Sequence, residues 1–322
     1  MTISLKEILA ALADGQFRSG ESLGVAFGVS RAAVWKHLQQ AGRLGIAVET
    51  KAGQGYRIAG GLDLLDSDRI TLGLEEGVRR ILKRVVVLDT IDSTNNYARS
   101  ELSKESAWVA VLAESQTAGR GRLGRGWVSP YGRNLYLSLG CTFADGVTSL
   151  QGISLVVGVA VHRVLAKMAV TGLGLKWPND ILLNGKKLGG ILLEVAGDPV
   201  GYCEVVVGIG LNVKMPCSVA CSISQPWADM SGYQITRNQL AANILSELVP
   251  ALHGFPKMTF AEYRDEWQRY DAYRNAVINV INNDKIVQGI ARGVSETGAL
   301  RVDVGGRDLE FSGGEISLRR LV

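Results

Sequence analysis

Gln116-Thr117-Ala118-Gly119-Arg120-Gly121-Arg122-Leu123-Gly124-Arg125-Gly126-Trp127 is the least ordinary stretch of this chain. Alternating glycine and arginine disfavours a helix, because each glycine costs about 1 kcal/mol there relative to alanine. The stretch also lacks the apolar side chains that would anchor a strand. From Ser115 to Ala144 there are four arginines (Arg120, Arg122, Arg125 and Arg133) and no acidic residue. The segment therefore reads as a mobile loop that presents guanidinium groups and bare backbone N–H donors. That combination binds phosphates and carboxylates in bidentate fashion. A solvated linker or an RNA-binding Gly-Arg tract fits less well, since the loop interrupts an apolar, strand-forming region. It is not a nucleotide-binding P-loop, because no Gly-Lys-Ser/Thr follows and no helix starts at once.

Four further motifs flank the loop. Val85-Val86-Val87-Leu88 is a buried strand leading into Asp89-Thr90-Ile91-Asp92-Ser93-Thr94-Asn95-Asn96. The hydroxyls and amides of that cluster serve either as helix caps or as ligand contacts. Residues 173–183 contain Lys176-Trp177-Pro178-Asn179-Asp180, a strand broken by proline. Asp180 suits a magnesium or ribose contact, or simple turn chemistry. Asn184-Gly185 makes a hairpin turn into Lys186-Lys187-Leu188-Gly189-Gly190-Ile191-Leu192-Leu193-Glu194. The two adjacent lysines point to opposite faces, so only one looks into a pocket, and it is costly there without an anion. In Val205-Val206-Val207-Gly208-Ile209-Gly210-Leu211-Asn212-Val213 the glycines either admit a ligand or simply pack.

Residues 1–62 read as a separate module. Leu5, Ile8, Leu9 and Leu12 recur at helical spacing until Gly15. A second helix starts at Ser19-Gly20-Glu21, a turn follows at Gly28-Val29-Ser30, and Ser30 caps a third helix running to Leu44. This is a helix-turn-helix, and residues 48–58 alternate around a glycine turn as a two-stranded wing. Seven basic and four acidic residues give it a mild positive charge. Ser30, Arg31, Trp35 and Lys36 on the third helix, with Lys51 and Arg57 on the wing, are the candidate DNA contacts. A helical interaction module without DNA is the alternative.

Composition sets the limits. The 322 residues fit about two domains. With 47% hydrophobic and 20% charged residues, the chain is neither disordered nor fibrous. The net charge of +4 does not by itself announce a nucleic-acid binder. Cys141, Cys203, Cys217 and Cys221 are too few and too irregular for a disulfide framework. The spacing of the last two suits a metal, but no second pair completes a zinc set. No signal-peptide pattern opens the chain, and its most apolar segment, residues 153–166, contains His162 and Arg163 and is too short to span a bilayer. The expected setting is the cytoplasm. From residue 275, short strands broken by turns suggest an SH3-like barrel.

Taken in order, the segments 92–95, 116–127, 176–180, 187–194, 208–212 and 314–319 resemble the signature of the bacterial biotin-protein ligases that also repress the biotin operon. The resemblance runs nearly end to end. Local departures are Leu123 and Gly126 in the arginine loop and the polar stretch 214–225 with its two cysteines. The implied fold is α/β (α+β): a winged helix-turn-helix at 1–62, a linker at 63–83, a mixed-sheet domain like those of class II aminoacyl-tRNA synthetases and biotin/lipoate ligases at 84–274, and the barrel at 275–322.

The resemblance also implies a two-step reaction with ATP, biotin and Mg2+. Biotin is adenylated, then transferred to a lysine of a biotin carboxyl carrier protein. The implied biotin contacts are Ser93, Thr94, Asn95, Gln116, Gly119, Arg120, Gly121, Arg122, Lys187 and Gly190. Nucleotide contacts fall on Arg122, Trp127, Lys176, Asn179, Asp180, Lys187, Asn212, Trp227 and Arg319, with Asp180 also a candidate for the metal. Lys187, Arg122 and Arg120 are the expected catalytic residues. Further implied partners are operator DNA and, with adenylate bound, a second copy of the chain; no membrane is expected. A lipoate-type ligase and a non-catalytic biotin-sensing repressor are the competing readings.

Overall fold

The computed structural model describes residues 3–104, 107–221, 223–255, 257–282, 285–313 and 316–320. Residues 314 and 315 of the C-terminal motif lie outside them. The N-terminal unit consists of α1 (Leu5–Ala11), α2 (Gly20–Phe27), α3 (Arg31–Arg43), β1 (Val48–Lys51) and β2 (Gly55–Ile58). Ser4, Ser19 and Ser30 each cap a helix by accepting a backbone N–H. At Ser4 the side chain of Glu7 reaches back to complete a capping box. Gly28 ends α2 at φ 66°, the left-handed region a glycine adopts without strain. Leu5, Ile8, Leu9, Leu12, Leu23, Val34, Leu38 and Ile58 form its core. The two wing strands pair antiparallel, from Val48 opposite Ile58 to Lys51 opposite Gly55.

Residues 63–83, expected as a linker, fold into α4 (Ser67–Leu72) and α5 (Glu76–Ile81). Asp66 caps α4, and Leu65, Ile70, Leu74, Val78 and Leu82 are buried in the core of the central domain. Spaced apolar residues make this segment part of the body it precedes.

The central domain comprises β3 (Arg84–Ile91), α6 (Thr94–Leu102), β4 (Val109–Gln116), β5 (Leu135–Phe143), α7 (Ile153–Lys167), β6 (Leu173–Lys176), β7 (Asp180–Leu183), β8 (Lys186–Gly197), β9 (Cys203–Leu211), α8 (Cys217–Ala220), α9 (Arg237–Gly254) and α10 (Arg264–Arg269). Its seven strands run in the order β3-β4-β5-β9-β8-β7-β6. β3 and β4 are parallel and every other neighbouring pair is antiparallel, so the sheet is mixed. The apolar segment at 153–166 is the buried face of α7, which packs beneath the sheet with α9. Among the described residues no helix is long and apolar enough to cross a membrane.

A buried ion pair ties the entry of this domain to its sheet. Glu114 and Arg237 lie 2.6 Å apart, 0% and 1% exposed. Arg237 also donates to the Asp63 and Asn134 carbonyls, and Glu114 accepts the Leu65 N–H. Strands β10 (Val277–Asn282), β11 (Lys285–Val294), β12 (Leu300–Val304), β13 (Arg307–Phe311) and β14 (Ile316–Arg320) close the chain. They form one antiparallel sheet in the order β13-β12-β11-β10-β14. Trp177 locks it to the central domain by donating to the Gly298 carbonyl at 3.0 Å.

Candidate active site

A cavity of about 1150 Å3 opens between the central sheet, the arginine loop and β14. Hairpin geometry explains how its central lysine is aimed. Asn184 and Gly185, at φ 49° and 74°, make the turn between β7 and β8. The register then slips: Leu182 faces Lys187, whereas Ile181 faces Gly189. Leu188 is the extra residue of this bulge, and its carbonyl accepts from Asn212 N instead. Because of it, Lys187 and Gly190 share a face with Asp180, while Lys186 points to solvent.

Lys187 Nζ stands 2.7 Å from Asp180 Oδ1 and 5.7 Å from the centre of the Trp127 ring. Lys176 Nζ holds the other carboxylate oxygen at 3.2 Å. Burial alone would push the Asp180 carboxyl up, but the two ammonium groups outweigh it and hold it below the usual range. Arg122 reaches Asn179 Oδ1 at 3.3 Å and the Ile316 carbonyl at 3.4 Å. Burial pulls its guanidinium below its ordinary value. Among the described residues, seven cationic side chains (Arg120, Arg122, Arg125, Lys176, Lys187, Arg319 and Arg320) and one carboxylate, Asp180, line the cavity. Such an excess in a partly desolvated site calls for polyanionic ligands.

A polar network forms the other end. Gln116 Oε1 accepts the backbone N–H of Thr94 at 2.9 Å and its hydroxyl at 3.1 Å. Ser138 Oγ lies 2.7 Å from Thr94 Oγ1 and 2.6 Å from Asn95 Oδ1. Asn95 donates to Glu194 Oε2 at 2.8 Å. Arg120 turns to Asn96 Oδ1 at 2.6 Å and Glu194 at 3.1 Å. Ser138 and Glu194 were not singled out from the sequence as site residues. Their signals are a serine inside an apolar strand and a glutamate closing another.

Ser93, Thr94, Asn95, Gln116, Arg120, Gly121, Arg122, Trp127, Lys176, Asn179, Asp180, Lys187, Gly190, Asn212, Trp227 and Arg319 all line this one cavity. Gly119 does not. A Cβ there would meet Gln116, Ser129 and the Trp127 carbonyl at 2.9 Å, so its smallness serves packing. Gly208 and Gly210 do line the cavity, and Asn95 Oδ1 and the Trp127 ring occupy the space beside their backbone. The arginine loop is pinned rather than open: Gly121 N donates to the Arg125 carbonyl at 2.7 Å and Trp127 N to the Gly119 carbonyl at 2.8 Å. Trp227 lies against Lys187, whose N–H donates to the Pro226 carbonyl. Asn212 Oδ1 is buried and without a partner among the described residues, while its amide donates to the Ala228 carbonyl at 3.0 Å.

On the N-terminal unit, Arg31, Trp35, Lys36 and Lys51 are exposed. The Ser30 hydroxyl is engaged in capping. Arg57 pairs with Glu49 at 2.7 Å and lies 4.5 Å over the Phe17 ring.

Three family models match this chain: the helix-turn-helix domain over residues 4–57, the biotin/lipoate A/B protein ligase family over 87–212, and the biotin protein ligase C-terminal domain over 277–319. The chain is 39% identical to the bifunctional ligase/repressor BirA of Escherichia coli over 99% of this chain and 98% of that one. To the bifunctional ligase/repressor BirA of Bacillus subtilis it is 30% identical over 92% of each. A biotin protein ligase from Aquifex aeolicus, solved with biotin and ATP, superposes with a TM-score of 0.61 at 27% identity. That superposition covers 74% of this chain and 100% of that one.

Proposed function

The chain belongs to the family of biotin-protein ligases that carry an N-terminal helix-turn-helix, and from that premise we propose that it adenylates biotin, transfers it to a carrier-protein lysine, and represses transcription when the adenylate stays bound. The observation that carries this reading is the ratio of seven cations to one carboxylate among the described residues around a single cavity, with a hydrogen-bonded network of hydroxyls and amides at its far end.

In the first step, a biotin carboxylate oxygen attacks the α-phosphorus of ATP, and the bond to the β-phosphate oxygen breaks to release pyrophosphate. Lys187 supplies a fixed positive charge where the two anions meet. Until they arrive, Asp180 and the Trp127 ring hold that ammonium in place. Preorganised charge of this kind needs no rearrangement as the reaction proceeds. Arg122 and Arg319 add charge for the phosphates, and Asn212 Oδ1 offers an acceptor to the exocyclic amine of adenine. The network of Thr94, Asn95, Gln116 and Ser138 suits the ureido end of biotin. In the second step, the carrier lysine amine attacks the acyl carbon, and AMP departs with the former carboxylate oxygen.

Among the described residues no group of three potential ligands can cage a metal ion. The donor set fits Mg2+ carried by the phosphates of the nucleotide, with Asp180 as the nearby carboxylate. There it would neutralise phosphate charge.

For repression, two copies pair through residues 192–197 of β8, which extend past β7 and have no strand partner on that side among the described residues. The paired α3 helices and wings then reach a palindromic operator. Incubating the protein with ATP, Mg2+, labelled biotin and a biotin carboxyl carrier domain tests the catalytic reading. Label is expected on one carrier lysine, and lipoate should not replace biotin. Equal use of lipoate would favour the lipoate-type ligase, and adenylate without transfer would overturn the second step.

A further inference from the structure

Cys217 and Cys221 are left unused by the chemistry above. Both are reduced and exposed, whereas Cys141 and Cys203 are fully buried. The pair sits on one helical turn, with Cys217 opening α8 and Cys221 closing it. Cys221 Sγ lies 3.7 Å from the Cys217 carbonyl, so the second thiol folds back along the turn toward the residue that opens it. The turn is flanked on both sides by the wall of the cavity. Met215 before it and Ile223, Ser224, Gln225, Pro226 and Trp227 after it all line the site. Its two ends are anchored, Met215 N to Asp229 Oδ2 at 2.9 Å and Lys187 N to the Pro226 carbonyl at 3.0 Å. A change of shape between these anchors therefore acts on the backbone of Lys187.

We propose that Cys217 and Cys221 are a redox-responsive dithiol, and that their oxidation to a disulfide reshapes this turn and weakens nucleotide binding. The proposal rests on the reading of this end of the cavity as the nucleotide site. On a helix, residues four apart hold their Cβ atoms about 5–6 Å apart. A disulfide requires about 3.8 Å. Closing the bridge therefore forces the turn to contract, and a bond that is both exposed and strained is one that reductants open readily. The oxidant is a low-molecular-weight disulfide. One cysteine thiolate attacks one of its sulfurs and releases a first thiol, leaving a mixed disulfide. The second cysteine then attacks that bond and releases a second thiol. Two electrons and two protons pass from the protein to the oxidant.

Redox mapping of the full-length protein in glutathione buffers of graded oxidation, with alkylation and peptide mass analysis, tests the bridge without any ligand. The expected product is a Cys217–Cys221 disulfide, with Cys141 and Cys203 alkylated only after unfolding. Calorimetric titration with ATP should then show affinity lowered by on the order of tenfold in the oxidised protein. Dithiothreitol should restore it, and the C217S/C221S double variant should bind ATP equally in both buffers. Glutathione attached separately to each thiol, or a bridge that leaves ATP affinity unchanged, overturns the proposal. Failure of the reduced wild type to bind ATP overturns the nucleotide reading instead.

Discussion

At the residue scale, the site works by pairing each buried polar group with something and leaving a few groups for ligands. Asn212 is the sharpest case, since its amide is engaged and its Oδ1 is buried without a partner among the described residues. Asn212→Ala should raise the KM for ATP by up to about tenfold, the worth of one hydrogen bond, and leave the KM for biotin unchanged. Isotope-exchange kinetics with each substrate varied in turn checks this; equal effects on both would remove Asn212 from the nucleotide end. Ser138→Ala has the opposite signature, because Ser138 touches Thr94 and Asn95 rather than the lysines. Biotin affinity should fall several-fold, about 1 kcal/mol, with ATP affinity unchanged. Much of the site was legible in the sequence, because a Gly-Arg loop and a lysine entering an apolar strand are chemically conspicuous. Ser138 and Glu194 were not. A serine among apolar residues looks the same whether it faces solvent or a ligand, and only the fold brings β8 beside α6. At Gly208 and Gly210 the sequence left packing and ligand access open, since space beside a glycine is available to the protein's own side chains as well as to a ligand.

At the scale of elements, two junctions hold the site in shape. The first is Glu114–Arg237, which ties residues 63–65 and α9 to the end of β4, two residues before Gln116. Arg237→Met leaves Glu114 buried and uncompensated, and should destabilise the protein by roughly 3–5 kcal/mol in chemical denaturation. A change under 1 kcal/mol would contradict the junction. The second is Tyr270–Ala272, whose backbone pairs with Leu175 at the sheet edge. Asp271 lies within it, with one carboxylate oxygen buried and unpartnered among the described residues. Burial pushes its carboxyl up to about 6, against the pull of the Tyr273 N–H. The folded protein thus holds this proton more tightly than the unfolded chain does. Its ionisation therefore removes stability as pH rises from about 4 to about 6, and the loss persists above. Asp271→Asn should stabilise at pH 7 by on the order of 1–3 kcal/mol and not at pH 4; melting curves at both values decide it. Of these junctions the sequence announced little. Helices α4 and α5 have six residues each and no stability alone, so the segment reads as a linker until its leucines are seen inside a core formed by distant strands.

At the scale of the whole molecule, one chain carries a DNA-facing module and a cavity for anions, and under the proposed pairing β8 serves both. Its N-terminal half aims Lys187 and its C-terminal half offers an edge unpaired among the described residues. On the proposed pairing, ligand and self-association are linked, each strengthening the other by the same factor. Sedimentation should show tighter dimers with biotinyl-5′-adenylate than without it, and identical association in both states would sink the regulatory reading. The order of the modules was legible because each has its own periodicity, helical in the first sixty residues and alternating in the last fifty. Their joining was not, since it depends on contacts such as Trp177 with Gly298 that lie far apart in the chain.

The most direct test is biotin-dependent ATP–pyrophosphate exchange, measured on the wild type and on Lys187→Ala. The predicted result is exchange that requires biotin and falls by on the order of 10²–10³ in the variant, with folding intact by circular dichroism. Exchange without biotin, or a variant as active as the wild type, would contradict the assignment of Lys187 as the charge on which adenylation depends.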